Sequence, residues 1–527
     1  MSLVAVVVVG LAVVVPLAAV LWRAVWIDGG FSTEALGRIL GSPRTWRVVA
    51  LTIGQALASA ALALTVGLPV SWVLARREFG GRGALRTVAM VPFVLPSVVI
   101  GAAFATLLGP GGIADLRGTW WAVLAAHVCF NLAVVIRIAG TALESVDPDL
   151  EAAARLAGAG TWSTFRRVTL PLVAPAVWSA AIIIFLFCLT SFGVIVVLGG
   201  GSVTTIEVEL WVRATRQFDL PGAAVLAGLQ ALMVVVVLLV AGPAASVASG
   251  RSSPSRRRRA GTPGQRWAVA ATAAAVTAIA VVPLAALVVR SLRVGDGYGL
   301  DNWAHLGSAT SGTGLAVDPL ASIAASMRAA LLATALAVVL GVPAADAVAR
   351  RPKGLAGRVL LLPLAISATT VGLGLLLLAG RPPLDLRRSP ALVVFAQTLV
   401  ALPLVVRAVA PAIARLPPAV LEAARLAGAG PLRRWWGVKL PMVRAAVAAA
   451  AGLALVAALG EFGATVFVAR VGDPTVPVAI QRLLSRPGPA GTGQAMALSC
   501  VLVVLCGGVL AVIDRVGARR GPGALGG

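Results

Sequence analysis

Along most of this chain the hydrophobic positions neither alternate, as on a half-buried strand, nor form the narrow stripe of a surface helix. They run on for about 20 residues at a time. Twelve such runs are read, at 3–26, 49–75, 87–108, 119–140, 172–198, 221–247, 267–291, 323–349, 356–379, 390–413, 442–468 and 494–514. A hydrocarbon core of about 30 Å takes roughly 20 helical residues to cross. Hydrocarbon offers no partner to backbone N–H and C=O groups, and the runs lack the alternation of barrel strands. The pattern therefore predicts an all-α polytopic membrane protein with about twelve transmembrane helices. The first run lacks a basic leader and is too long for a signal segment, so it is expected to be a retained span.

Composition agrees: of 527 residues, 59% are hydrophobic and 12% charged, against about 25% charged in a soluble domain. A net charge of +24 on a soluble protein would suggest nucleic acid, but here the charge sorts by side. Arg76, Arg77, Arg82 and Arg86 follow the second run, Arg350, Arg351, Lys353 and Arg358 follow the eighth, and Arg256 to Arg259 lie between the sixth and seventh. The opposite loops hold most of the acids, among them Asp28, Glu207, Glu209, Asp219 and Asp473, with Arg387 and Arg388 as an exception. The positive-inside rule then puts both termini in the cytoplasm. Lipid is the expected surrounding, and nucleic acid is not expected as a partner. Cys129, Cys188, Cys500 and Cys506 fall inside predicted spans and read as small core hydrophobes. His127 has no ligand neighbour at metal spacing and reads as a packed interface histidine. No metal site is expected.

The segment 248–266, rich in Ser, Pro, Gly and Arg, has the composition of a basic cytoplasmic linker. It separates two six-helix halves, 1–247 and 267–527, which match at an offset of 270: His127 with Gln397, Arg137 with Arg407, Gly158 with Gly428, Pro171 with Pro441, and SerPheGly 191–193 with GluPheGly 461–463. Matched landmarks over some 65 residues indicate a duplication. Since each half has an even number of spans, the copies are expected in the same orientation about a pseudo-twofold along the membrane normal.

The most polar repeated stretch falls between the fourth and fifth spans of each half, at 145–171 and 415–441. Asp147-Pro148 and Pro417-Pro418 suit helix starts, and Glu, Ala, Arg and Leu favour helix. Gly158-Ala-Gly160 and Gly428-Ala-Gly430 would break it, with a second short helix running into Leu170-Pro171 and Leu440-Pro441. Each copy thus reads as helix, glycine elbow, helix. An amphipathic loop resting on headgroups is the alternative for one copy; two symmetric copies favour a two-fold partner.

The motif Glu-Ala-Ala, three residues, Gly, and Leu-Pro twelve residues beyond resembles that of the membrane subunits of ATP-binding-cassette importers. Glu422, Ala423, Ala424, Gly428, Leu440 and Pro441 fit it fully. In the first copy Gly158, Leu170 and Pro171 hold, but Glu151 stands one place early and Ala152, followed by Ala153, occupies the Glu position. The resemblance implies that each loop, with Arg155 or Arg425 beside it, docks into one of two ATPase subunits. It also implies an extracytoplasmic solute-binding protein and a location in the bacterial plasma membrane. The chain holds no G-x-x-x-x-G-K-[ST] loop. It is therefore expected to be a transport subunit and not an enzyme, binding no cofactor itself, with ATP-Mg on the partner.

The stretch Cys188 to Gln230, with ThrSerPhe 190–192, LeuGlyGlyGly 198–201 and PheAspLeu 218–220, is similar to bacterial thiamine-importer permeases. Thiamine is the implied cargo, and ferric iron or phosphonate, carried by the broader group, the alternative. Ser191, Phe192, Glu461 and Phe462 are candidates for the translocation path, and the two copies diverge there at Ser191 versus Glu461. Glu461 is read as a carboxylate well inside a span, lining a cavity, or else bonded to a neighbouring helix or lying shallower than its place in the run. A twelve-helix secondary transporter remains the rival class, although paired glycine elbows have no role in a carrier without an ATPase.

Overall fold

The computed structural model describes residues 2–518 apart from 28, 242–257, 260, 308–317, 351–365, 381–385, 387–388, 471 and 487–488. Most of the basic linker, with Lys353, Arg387 and Arg388, lies outside the described residues. The numbered helices of the first half are α1 (Ser2–Val25), α2 (Pro43–Arg76), α3 (Arg82–Val94), α4 (Ser97–Leu107), α5 (Trp120–Ser145), α6 (Pro148–Leu156), α7 (Leu170–Leu189), α8 (Gly193–Leu198), α9 (Ile206–Thr215) and α10 (Leu220–Ala241), with the short Glu34–Leu40 and Thr161–Thr164 left unnumbered. Those of the second are α11 (Pro263–Ala280), α12 (Val282–Ser291), α13 (Pro319–Arg350), α14 (Ala368–Ala379), α15 (Ala391–Ala414), α16 (Pro418–Leu426), α17 (Leu440–Gly460), α18 (Thr465–Val468), α19 (Val476–Leu484) and α20 (Pro489–Ala518). Among the described residues, strands are confined to three pairs of two-residue segments.

The all-α membrane class holds, while the expected count of about twelve spans is not matched one for one among the described residues. Among the described residues nine helices are long and apolar enough to cross a bilayer, and α3 with α4 makes a tenth only as a pair bent by 104°. That bend interrupts the predicted third span at Leu95-Pro96, where proline has no N–H to continue a helix. In α1 and α14 the described apolar stretches are shorter, Gly10–Val25 and Ala368–Ala379.

The chain forms two compact units that interleave the sequence. One holds residues 1–38, 210–231 and 291–527, the other 39–209 and 232–290. In the first unit α1 packs on α13 and α14; in the second α11 packs on α2, α3 and α5. Each unit thus includes the opening helix of the other sequence half. In the first unit an ion cluster joins the N-terminal segment to the start of α10. Arg38 donates to both oxygens of Asp219, at 2.9 and 3.0 Å, and Arg213 donates at 3.0 Å. The Arg38 guanidinium holds the Asp219 carboxyl down at about 2.

Small residues permit the tightest helix crossings. A Cβ on Gly67 of α2 would stand 2.7 Å from Val135 Cβ on α5, and one on Gly341 of α13 would stand 3.0 Å from Val405 Cβ on α15. The same duplicated logic caps two buried helix starts: Ile206 N–H donates to Thr52 Oγ1 at 3.0 Å, and Val476 N–H to Ser326 Oγ at 2.7 Å.

Candidate functional site

The two elbows have the same backbone. In the first, Asp147 accepts from Asp149 N–H at 2.9 Å as N-cap of α6. The helix closes with Ala157 N–H on Ala153 O, Gly158 N–H on Arg155 O and Ala159 N–H on Ala154 O. In the second the closing bonds are Ala427 to Ala423, Gly428 to Arg425 and Ala429 to Ala424. Gly158 at φ +84° and Gly428 at φ +75° adopt the left-handed conformation that ends a helix in this way and that a Cβ disfavours. After each elbow come one α-turn and one π-turn, Phe165–Thr169 and Trp435–Lys439, which lead without a break into α7 and α17 at Leu170-Pro171 and Leu440-Pro441.

Side chains tie each elbow to the long helix of its unit, in different ways. In the first, Glu151 is only 7% exposed. Its Oε1 accepts from Arg76 at the end of α2 at 2.6 Å and from Thr169 Oγ1 at 2.8 Å. Arg76 also donates to Val146 O at 3.3 Å and lies over the Trp72 ring, which meets Phe165 edge-on. Nearby Arg82 and Arg86 share Glu144 at 2.7 and 2.9 Å. In the second elbow Leu421 stands at the register of Glu151. The carboxylate there is Asp346 on α13, 2% exposed, which accepts from Lys439 Nζ at 2.6 Å and from Arg350 at 2.6 and 2.9 Å. Lys439 occupies the register of Thr169 and lies over the Trp435 ring.

The motif positions themselves face outward. Ala152, Ala153, Arg155 and Gly158 are exposed, as are Glu422, Ala423, Arg425 and Gly428, while Ala424 is half-buried. At the tips Leu156 is 91% and Leu426 89% exposed, with Trp162 and Leu432 exposed beside them. Arg137 and Arg407 are exposed and carry no ion pair among the described residues, as snorkelling side chains do.

The divergent SerPheGly and GluPheGly positions fall at helix breaks. Ser191, between α7 and α8, bonds His127 Nε2 at 2.9 Å, and His127 Nδ1 bonds Ser59 Oγ at 2.9 Å. Glu461 stands just past the end of α17, where its carboxylate accepts Ala464 N–H at 2.7 Å and Thr465 N–H at 2.9 Å and so caps α18. Phe192, Glu461 and Phe462 are buried and Ser191 half-buried. The glycines follow from close approach: a Cβ on Gly463 would stand 2.9 Å from Ala368 Cβ. The sequence alone did not single out Asp346, Thr169 or Arg76 as anchors. Asp346 had a local signal in Arg350 four residues on, and Lys439 in being one of two lysines.

Two segments of the chain, 67–248 and 337–514, match the family described as binding-protein-dependent transport system inner membrane component. The thiamine transport system permease protein of Brucella abortus is 26% identical over 494 residues, covering 90% of this chain and 88% of that protein. That of Escherichia coli K12 is 30% identical over 222 residues, 40% of this chain and 39% of that protein. The sulfate transport system permease protein of the same organism is 26% identical over 230 residues, 41% of this chain and 79% of that protein.

Proposed function

Since this chain belongs to the binding-protein-dependent transport system inner membrane component family, making it an importer permease of the ATP-binding-cassette type, we propose that it moves thiamine. The supporting observation is the alignment with a thiamine permease over nine tenths of the chain. The elbows are the sockets of two copies of an ATPase subunit. Each offers an apolar tip, Leu156 with Trp162 or Leu426 with Leu432, and an exposed arginine next to its leucine, Arg155 or Arg425. An ion-paired anchor behind each tip transmits its displacement to the spanning helices. A swing from 1:99 to 99:1 between inward- and outward-open forms needs about 5.5 kcal/mol of difference between nucleotide states, which two docked elbows supply together more readily than one. Both termini and both elbows are cytoplasmic in this reading, ATP-Mg stays on the partner, and an extracytoplasmic binding protein delivers the cargo.

Two measurements test this. Cells lacking the gene should lose uptake of nanomolar labelled thiamine and keep uptake of labelled sulfate and ferric iron. Loss of sulfate or iron uptake instead would overturn the cargo and leave the permease class standing. Separately, Gly158→Asp with Gly428→Asp should leave the chain in the membrane and abolish both uptake and co-purification of the ATPase. Normal co-purification would refute the role of the elbows.

A further inference from the structure

We propose that α13 and α15 form a binding site for one anionic phospholipid. Between the two helices runs a groove of about 610 Å³, apolar along its length and charged at one end. Its floor on α13 is a single helical face: Leu332, Leu336 and Val339, four, eight and eleven residues beyond Arg328, all exposed. Phe395 of α15 forms the opposite wall and is also exposed. At the charged end are Arg328, Arg470 and Asp473. Arg470 and Asp473 pair at 3.3 Å and offset each other. Arg328 is exposed and, among the described residues, has no acidic side chain within ion-pair distance. Among the described residues lining it, Arg328 is thus a cation without an acidic partner at the end of the groove, which the charge of an anionic headgroup complements, whereas a zwitterionic one brings its own cation.

The depth is right for a lipid. Arg328 and Arg350 are 22 residues apart on one helix, about 33 Å at 1.5 Å per residue, close to the roughly 30 Å of a hydrocarbon core. With Arg350 and Asp346 marking one interface, Arg328 lies at the other, level with phosphates, and the apolar face below it runs where an acyl chain runs. The site is not a general product of the fold. The first half, aligned through Gly67 with Gly341, Pro69 with Pro343 and Arg76 with Arg350, has Gly54 at the place of Arg328. At the 270 offset it has Ala125 at the place of Phe395 and Gly200 at the place of Arg470. Both the cation and the aromatic wall belong to the second half alone.

The test is lipid retention by the purified full chain, reconstituted in nanodiscs of phosphatidylcholine with a minor share of phosphatidylglycerol, then stripped with detergent and measured by mass spectrometry. The wild type should hold about one phosphatidylglycerol per chain and release phosphatidylcholine. Arg328→Gln should lower retention about five- to ten-fold, the scale of one lost cation–headgroup contact, while Arg328→Lys keeps most of it. Val339→Trp, which fills the groove and leaves the cation in place, should also evict the lipid, and inorganic phosphate should not displace it. Gel filtration confirms that each variant is folded. Wild-type retention by Arg328→Gln, equal retention of the two lipids by the wild type, or displacement by phosphate would each overturn the proposal.

Discussion

The two elbows share their closing backbone hydrogen bonds yet wire their charges in opposite senses. In the first, the carboxylate sits on the elbow as Glu151 and the cation on the long helix as Arg76; in the second, the carboxylate is Asp346 on the long helix and the cation is Lys439 on the elbow. What both copies retain is the constraint, a buried charged bond between elbow and spanning helix, and not the residues that make it. The comparison also explains the first copy's one-place departure from the motif. Glu151 points inward and is used within the chain, whereas Glu422 is exposed where the first copy has Ala152.

The largest effect should come from breaking the second anchor. Lys439→Ala leaves Asp346, 2% exposed, with Arg350 alone, and removing one partner of a buried pair costs about 3–5 kcal/mol. Thermal unfolding of the full chain in detergent should show the loss, and Asp346→Asn in the same background should recover part of it. If Lys439→Ala melts like the wild type, the anchor carries no stability. Glu151→Gln should cost less, about 1.5–3 kcal/mol, the worth of a charged hydrogen bond, because Arg76 keeps Val146 O and the Trp72 ring. A cycle with Arg76→Gln isolates the pair, and additive effects would deny the coupling.

Gly158→Ala and Gly428→Ala should each cost about 1–2 kcal/mol through the left-handed backbone. Nearly equal losses are expected because the elbows share that geometry, and a clear inequality would show that their surroundings differ in more than charge. The smallest effect is expected outside the elbows. Asp219→Asn should cost on the order of 1 kcal/mol, since Arg38 is half exposed. The Asp219 carboxyl is depressed in the folded chain to about 2, so its contribution is full above about pH 4, the unfolded value. It fades as pH falls from there through 2. Wild type and Asp219→Asn should therefore converge in stability below pH 2, and a constant difference down to that pH would break the assignment.

Much of the elbow was legible because its causes are local. N-cap, helix formers and a glycine needing positive φ lie within a dozen residues of one another. The anchors were less legible because their partners are distant: Lys439 and Asp346 are 93 residues apart and Arg76 and Glu151 are 75. Hydropathy averaging runs across Gly460, hides the end of α17 and so puts Glu461 inside a span, whereas its carboxylate caps the short helix that follows. The same averaging carried the third span across the bend of 104°, although Pro92 and Pro96 were visible signals.

The sequence by itself determined the membrane class, the helical nature of the spans, the duplication and the two elbows. Hydrocarbon forces each segment to satisfy its backbone within itself, so composition and spacing of a few residues suffice. Only the tertiary structure decided which helices complete each unit, which carboxylate holds each elbow, where Glu461 spends its hydrogen bonds, and that Arg328 heads an apolar groove. These depend on side chains brought together from distant segments by close helix packing at Gly67 and Gly341, and no local pattern encodes the partner.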